Sequence, residues 1–152
     1  MREKEYPPLY SRGFKDLQER DLYNEFVTPV REGTEHRNNL LIDFGRFLNE
    51  FKALGITAEV WIDGSFATYA PDPADVDVVF FLKQAEIDSL TEDLRPKFEK
   101  LFLSRKFIRN LYKTEVHYAH MNDVWQQMLW QKTFGTCYDN VTPKGIFRIY
   151  FN

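Results

Sequence analysis

The sequence predicts an α/β domain, and three observations predict it. Residues 34–54 carry apolar side chains at helical spacing. Two apolar runs follow, one at residues 56–62 and one carrying Asp75 and Asp77, with a Gly64-Ser65 turn and a proline-bracketed loop between them. Past a further helical stretch, residues 112–119 alternate between apolar and polar side chains as a strand does. At 152 residues, 43% hydrophobic and 16% aromatic, the chain can bury one substantial core and reads as a single domain over 1–152.

The elements follow in order. Residues 1–13, with Pro7-Pro8 and Gly13 among charges, read as an extended N-terminal arm without chemistry of its own. Leu17, Leu22, Phe26 and Val27 predict a helix over 14–27 that Pro29 ends. The next helix is clearer: Thr34 is its expected cap, Leu40, Leu41, Phe44, Phe47, Leu48 and Phe51 share one face, and Gly55 stops it. A strand over 56–62, a short helix near 65–69 and the stiff Pro71-Asp72-Pro73 loop lead to the strand with Asp75 and Asp77. Residues 85–103 read as a helix broken near Pro96, with Leu90, Leu94, Phe98, Leu101 and Phe102 buried. The 112–119 strand extends the sheet. A Thr142-Pro143-Lys144-Gly145 turn then enters a last strand over 146–151.

Asp75 and Asp77 are the residues with the most chemical content. At i, i+2 on a strand they point to one face, and two carboxylates so close repel each other unless a cation lies between them. Mg²⁺ or Mn²⁺ is the natural occupant of such an oxygen site. Upstream, Gly64 permits a tight turn at a strand end, and the following amides with the Ser65 hydroxyl form a nest suited to phosphate oxygens. Taken singly, each feature has an ordinary structural reading. Placed together at the mouths of apolar strands, they point to a metal-and-phosphate site.

This pattern of Ile62-Asp63, Gly64-Ser65, then Asp75 and Asp77 flanked by apolar residues resembles the nucleotidyltransferase superfamily that includes DNA polymerase beta, poly(A) polymerases, CCA-adding enzymes and the minimal nucleotidyltransferases. The longer runs WIDGSFAT and TPKGIFRI (residues 142–149) resemble a narrower bacterial group of small proteins with this fold, from which no activity carries over. The resemblance implies a minimal nucleotidyltransferase fold, a mixed β-sheet flanked by helices. It also implies a third carboxylate on a neighbouring strand, for which Glu115 is the candidate and Asp123 the alternative. His117 shares the Glu115 face. On this reading Asp75 and Asp77 hold the ion that binds a nucleoside triphosphate, while Asp77 and Glu115 help place a second ion at the attacking oxygen. Gly64 and Ser65 bind the phosphates. Lys144 and Arg148, on the last turn and strand, read equally well as further cations within reach of a triphosphate and as edge-strand charges that discourage aggregation.

The acceptor is less legible. Arg95, Lys97, Lys100, Arg105, Lys106, Arg109 and Lys113 stand against Glu99 alone, interleaved with aromatics, a pattern that suits a phosphate backbone or, more simply, a helix with a solvated basic face. Trp125 and Trp130 offer a base-stacking surface, though at least one reads as core. The formal net charge of −3 gives no global basic field, the lone Cys137 excludes an internal disulfide framework, and the three histidines lack zinc spacing. No run of membrane-spanning length is present, so a cytoplasmic protein without membrane insertion is expected. Three functions follow. The first is transfer of a nucleotide from ATP or another triphosphate to a hydroxyl on protein or nucleic acid, in a toxin–antitoxin or antiphage defence setting. The second is a template-independent oligonucleotide or signal synthase, and the third a non-catalytic nucleotide- or partner-binding protein. A domain this small is expected to complete its site through a homo-oligomer or a partner protein. Serine hydrolysis is disfavoured because Gly64-Ser65-Phe66 lacks the second glycine of a nucleophile elbow.

Overall fold

The computed structural model describes residues 6–137, 139 and 141–152. Strands β1 (Phe14–Asp16), β2 (Ala58–Asp63), β3 (Val76–Leu82), β4 (Thr114–His120) and β5 (Ile146–Phe151) form one mixed sheet in the order β1-β5-β2-β3-β4. β2 runs antiparallel to β3 and to β5, whereas β1 with β5 and β3 with β4 pair in parallel. Parallel pairing of β3 and β4 requires a crossover, which three helices supply: α3 (Gln84–Asp88), α4 (Arg95–Leu103) and α5 (Arg105–Tyr112). Two helices precede β2, α1 (Leu22–Phe26) and α2 (Thr34–Lys52), and α6 (Val124–Phe134) lies between β4 and β5. The chain is thus α/β, a five-stranded mixed sheet flanked by helices.

Alternation divides the sheet into two faces. Val60, Ile62, Val78, Phe80, Val116, Phe147 and Ile149 join Phe44, Phe47, Leu48 and Phe51 of α2, and Phe98, Leu101, Phe102, Ile108 and Tyr112 of α4 and α5, in the main core. Edge-to-face ring contacts tie this layer together, with Phe80 5.0 Å from Phe51 and 5.3 Å from Phe102. A smaller core of Trp61, Val79, Phe81, Ala119 and Ile146 covers part of the other face, under Phe134 of α6. The remainder of that face is left open toward one end of the sheet.

Several elements differ from the sequence expectation. Residues 14–16 are a strand, not the start of a helix, because Phe14 pairs with Ile146 and its ring meets Trp61 at 4.9 Å, contacts that a local period cannot reveal. Only Leu22–Phe26 is α-helical in the 14–27 span. Thr34 is the first residue of α2 and its hydroxyl donates to the Arg31 carbonyl at 3.0 Å, so it does not cap the helix amides. Pro96 sits in the first turn of α4, where a missing N–H costs nothing, so it starts a helix; the interruption lies before it, at residues 89–94. Of the expected arm, residues 1–5 lie outside the described residues. Residues 7–9 bond to the segment after β2, Tyr69 N–H donating to Pro7 at 3.0 Å and Leu9 N–H to Ala67 at 2.9 Å. Among the described residues no helix is long and apolar enough to cross a membrane.

One buried cation shapes the region that matters for function. Arg37 of α2 is fully buried and forms no salt bridge among the described residues; its guanidinium donates to the Phe26 carbonyl at 2.6 Å, to the Ala70 carbonyl at 2.6 Å and to the Phe66 carbonyl. Burial lowers its pKa to about 10, so it stays charged at neutral pH. The β2–β3 connection is further held by His36 on the Pro73 carbonyl and by Gly33, where a side chain would collide with Pro71. The first turn of α2 therefore fixes the loop that joins the two halves of the candidate site.

Candidate active site

The end of β2 and the starts of β3 and β4 meet at one edge of the sheet. Register sets Asp63 opposite Asp77 and Asp77 opposite Glu115, so three carboxylates stand in a row across three strands on the same face. Asp75 lies one step before β3. Carboxylate oxygens of Asp75, Asp77 and Glu115 come within 4.8 Å of one another. The structure thus brings together the three sequence-selected carboxylates. Asp123, the alternative to Glu115, instead caps α6, accepting the Gln126 amide at 3.1 Å.

The Gly64-Ser65 turn borders this row. Gly64 has φ 76°, and a Cβ built on it would collide with Asp77 Oδ2, so both backbone conformation and space demand glycine. Its amide donates to Asp63 Oδ1 at 2.8 Å and is engaged within the protein. Ser65 opens a 3-10 turn, Ser65–Ala67, and is half-buried at the cleft wall. Lys144, delivered by the turn before β5, is buried; its ammonium lies 2.7 Å from Asp63 Oδ1 and donates to the Gly64 carbonyl at 2.9 Å. Arg148 is not brought to the site. It pairs with Asp16 at 2.6 Å and lies over the Phe14 ring, tying β5 to β1.

Electrostatics single out two of these carboxyls. Burial, then the charges of Asp75 and Glu115, push Asp77 up to about 7 against the pull of Lys144. Burial pushes Asp63 up to about 7, opposed by Lys144 and the Gly64 amide. Asp75 is also raised by burial, with Arg109 acting in the other direction. Asp63 Oδ2 is buried and lacks a hydrogen-bond partner among the described residues. Three carboxylates crowded within 4.8 Å of one another, one of them raised to about 7 and without an ion pair among the described residues, have the oxygen-donor chemistry that suits a hard divalent cation such as Mg²⁺ or Mn²⁺.

Three groups at the site lie beyond the sequence reading. Asp63 enters that reading only as part of the motif; its signal is a carboxylate directly before Gly64 at the end of an apolar strand. Arg105 and Arg109 belong to the stretch expected as a solvated face, yet Arg109 Nε lies 3.1 Å from Asp75 Oδ2 and 3.5 Å from Glu115 Oε2, and Arg105 Nη2 lies 2.9 Å from Glu115 Oε1. Arg105 also contacts His117 Nε2 at 3.1 Å, and burial followed by that arginine's charge lowers the His117 pKa. Elsewhere in the basic segment Lys97 pairs with Glu50 at 2.7 Å, away from the carboxylates.

The four carboxylates, the Gly64-Ser65 turn, Lys144, Arg109 and His117 line a cleft of about 1190 Å³ between the open sheet face, the 64–75 loop and α6, large enough for a nucleotide-sized ligand. Trp130 forms part of its wall, packed on His117 at 4.7 Å and Phe134 at 5.2 Å, whereas Trp125 points to solvent and is 67% exposed. No curated protein and no solved structure matches the chain. Residues 5–150 match the model of a family of unknown function (DUF6932), and the chain belongs to that family.

Proposed function

We propose that the protein is a metal-dependent nucleotidyltransferase with the minimal nucleotidyltransferase fold, moving a nucleotide from a nucleoside triphosphate to a hydroxyl on a protein or nucleic acid. The observation that carries the reading is the convergence of Asp75, Asp77 and Glu115 beside the Gly64-Ser65 turn in one nucleotide-sized cleft. A bound Mg²⁺ or Mn²⁺ would offset charge on the triphosphate and acidify the attacking hydroxyl. Asp75, Asp77 and Glu115 hold that cation. Ser65 offers its hydroxyl to phosphate oxygens, and Lys144 adds positive charge while keeping the turn in place through the Gly64 carbonyl. Trp130 and Phe134 supply an apolar wall for the base. The exposed Val124, Trp125 and Met128 on α6 support the expectation of a second copy or a partner chain, which sedimentation of the purified protein tests.

The deciding experiment incubates the protein with each α-labelled nucleoside triphosphate and Mg²⁺ or Mn²⁺, alone and with tRNA or cell extract, and follows the label. Transfer to protein or nucleic acid that Asp75→Ala abolishes supports the proposal; absence of any transfer with every triphosphate opposes it. Intact-mass spectrometry separates a protein acceptor, the protein itself included, from extended RNA or DNA. One observation favours a second reading, a nucleotide-binding protein without transfer: the arginines of α5 already neutralise Asp75 and Glu115. A triphosphate-dependent rise in melting temperature that persists in excess chelator, with no transfer, supports that alternative.

A further inference from the structure

Two of the candidate cation ligands, Asp75 and Glu115, and the neighbouring Asp63 already carry cations of their own, and the two sets are held differently. Lys144 and Asp63 have side chains 9% and 1% exposed, and the ammonium has a second anchor in the Gly64 carbonyl. That pair is fixed in the fold. Arg109 is 55% exposed and reaches Asp75 and Glu115 from the solvent side of α5, and Arg105, 51% exposed, reaches Glu115 from one turn earlier. The carboxylates are 14% and 25% exposed, but the guanidinium ends stand in solvent, where screening weakens the pairs and leaves the arginines free to turn away.

A divalent ion seated on Asp75, Asp77 and Glu115 competes with these guanidiniums for Glu115, both of whose oxygens they contact, and for Asp75 Oδ2. We propose that Arg109, backed by Arg105, is an exchangeable counter-ion, sitting on the carboxylates when no metal is bound and turning to phosphate oxygens of the substrate once one is. The inference rests on the nucleotidyltransferase reading and adds the anion-binding arm of the site. The layout of the row suits this: the Gly64-Ser65 turn follows β2 on one side of Asp77 and Arg105 contacts Glu115 of β4 on the other, so the phosphate turn and the guanidiniums border the carboxylates from two ends. Their planar forks match phosphate oxygens, which a lysine at that position would contact only as a point charge. The phosphates can belong to the donor or to the acceptor.

Titration calorimetry on the full chain tests this without any turnover. With Mn²⁺ alone, Arg109→Gln binds about two- to fivefold more tightly than wild type, because a competing cation is gone. With Mn²⁺ saturating, the same variant binds tripolyphosphate or a 5′-phosphorylated single-stranded oligonucleotide about tenfold more weakly. Loss for tripolyphosphate assigns the arginine to the donor, and loss for the oligonucleotide alone assigns it to the acceptor. Arg105→Gln, which loses contact to Glu115 alone among the carboxylates, shows smaller shifts of the same signs. Wild type that binds Mn²⁺ while Arg109→Gln binds it equally or less tightly overturns the exchange and leaves the transferase reading standing, as does unchanged affinity for both phosphate probes. Failure of every form to bind Mn²⁺ overturns the metal reading and the exchange with it.

Discussion

Replacing Asp77 by asparagine should stabilise the protein in the absence of metal at neutral and alkaline pH while removing a proposed metal ligand. Asp77 is pushed from 3.8 to about 7, first by burial and then by Asp75 and Glu115, with only the more distant charge of Lys144 pulling the other way. A carboxyl whose pKa is raised on folding binds its proton more tightly in the native state. Its contribution is therefore fully present below the unfolded pKa and is lost as pH rises toward 7. At about 1.36 kcal/mol per unit, the shift amounts to roughly 4 kcal/mol above pH 7 and about 1.5 kcal/mol near pH 5. The Asp77→Asn variant keeps the size of the side chain and removes the charge, so its gain over wild type in urea unfolding with chelator is about 2–4 kcal/mol at pH 8, and it shrinks steadily toward pH 5. In a chain of this length, that is a rise in melting temperature on the order of 5–10 °C. Millimolar Mg²⁺ with a triphosphate narrows or reverses the order, because wild type alone keeps the full ligand set. An asparagine variant less stable than wild type at pH 8 in chelator, or a gap that does not change with pH, refutes the electrostatic account of the site.

Three further substitutions probe what surrounds that carboxyl. Gly64→Ala meets both a positive φ and the Asp77 carboxylate, so a loss of about 1–3 kcal/mol in urea unfolding is expected, together with loss of the triphosphate-dependent rise in melting temperature. Lys144→Met leaves Asp63 buried without its cation and should cost about 3–5 kcal/mol at pH 8; since the Asp63 pKa then rises further, the deficit is smaller at pH 5, where the carboxyl is protonated. Arg37→Met strips the Phe26, Phe66 and Ala70 carbonyls of their donor, with an expected loss of about 3 kcal/mol or more and faster amide exchange through residues 64–73.

What the sequence discloses and what it hides follow from the range of the interactions involved. The β5 span Ile146–Phe151 and the apolar stripe of α2 are readable because each element declares its own period and its own boundary, Gly145 for one and Gly55 for the other. β1 is not readable. Three residues are too few to show alternation, and what holds Phe14 is Ile146 and Trp61, partners far along the chain. The same contrast governs the site. Asp75, Asp77 and the Gly64-Ser65 turn lie within one short stretch, and Glu115 is reached only through the resemblance, which implies a third carboxylate on a neighbouring strand. Lys144 is named from the sequence as a cation for the phosphates, but its partner is not, nor is the place of Asp63 or Arg109, because these depend on neighbours from different elements: Lys144 meets Asp63 from the far end of the chain, and Arg109 meets Asp75 across a crossover of three helices.

That division has a physical consequence for how the site works. The locally written groups are acidic, and left alone they would repel one another; the groups supplied from a distance are cations of two kinds. Lys144 comes in on the β5 turn and is buried, so it offsets Asp63 whenever that carboxyl is ionised and holds the turn that Gly64 makes possible. Arg105 and Arg109 come in on α5 and remain exposed, so they offset Asp75 and Glu115 only until something binds better. Asp77, between the two sets, takes no direct ion pair among the described residues, and its carboxyl is raised to about 7. The fold thus leaves one carboxyl of the row short of positive charge, and on the proposed reading a divalent ion entering there would stabilise the protein most where the fold itself supplies least.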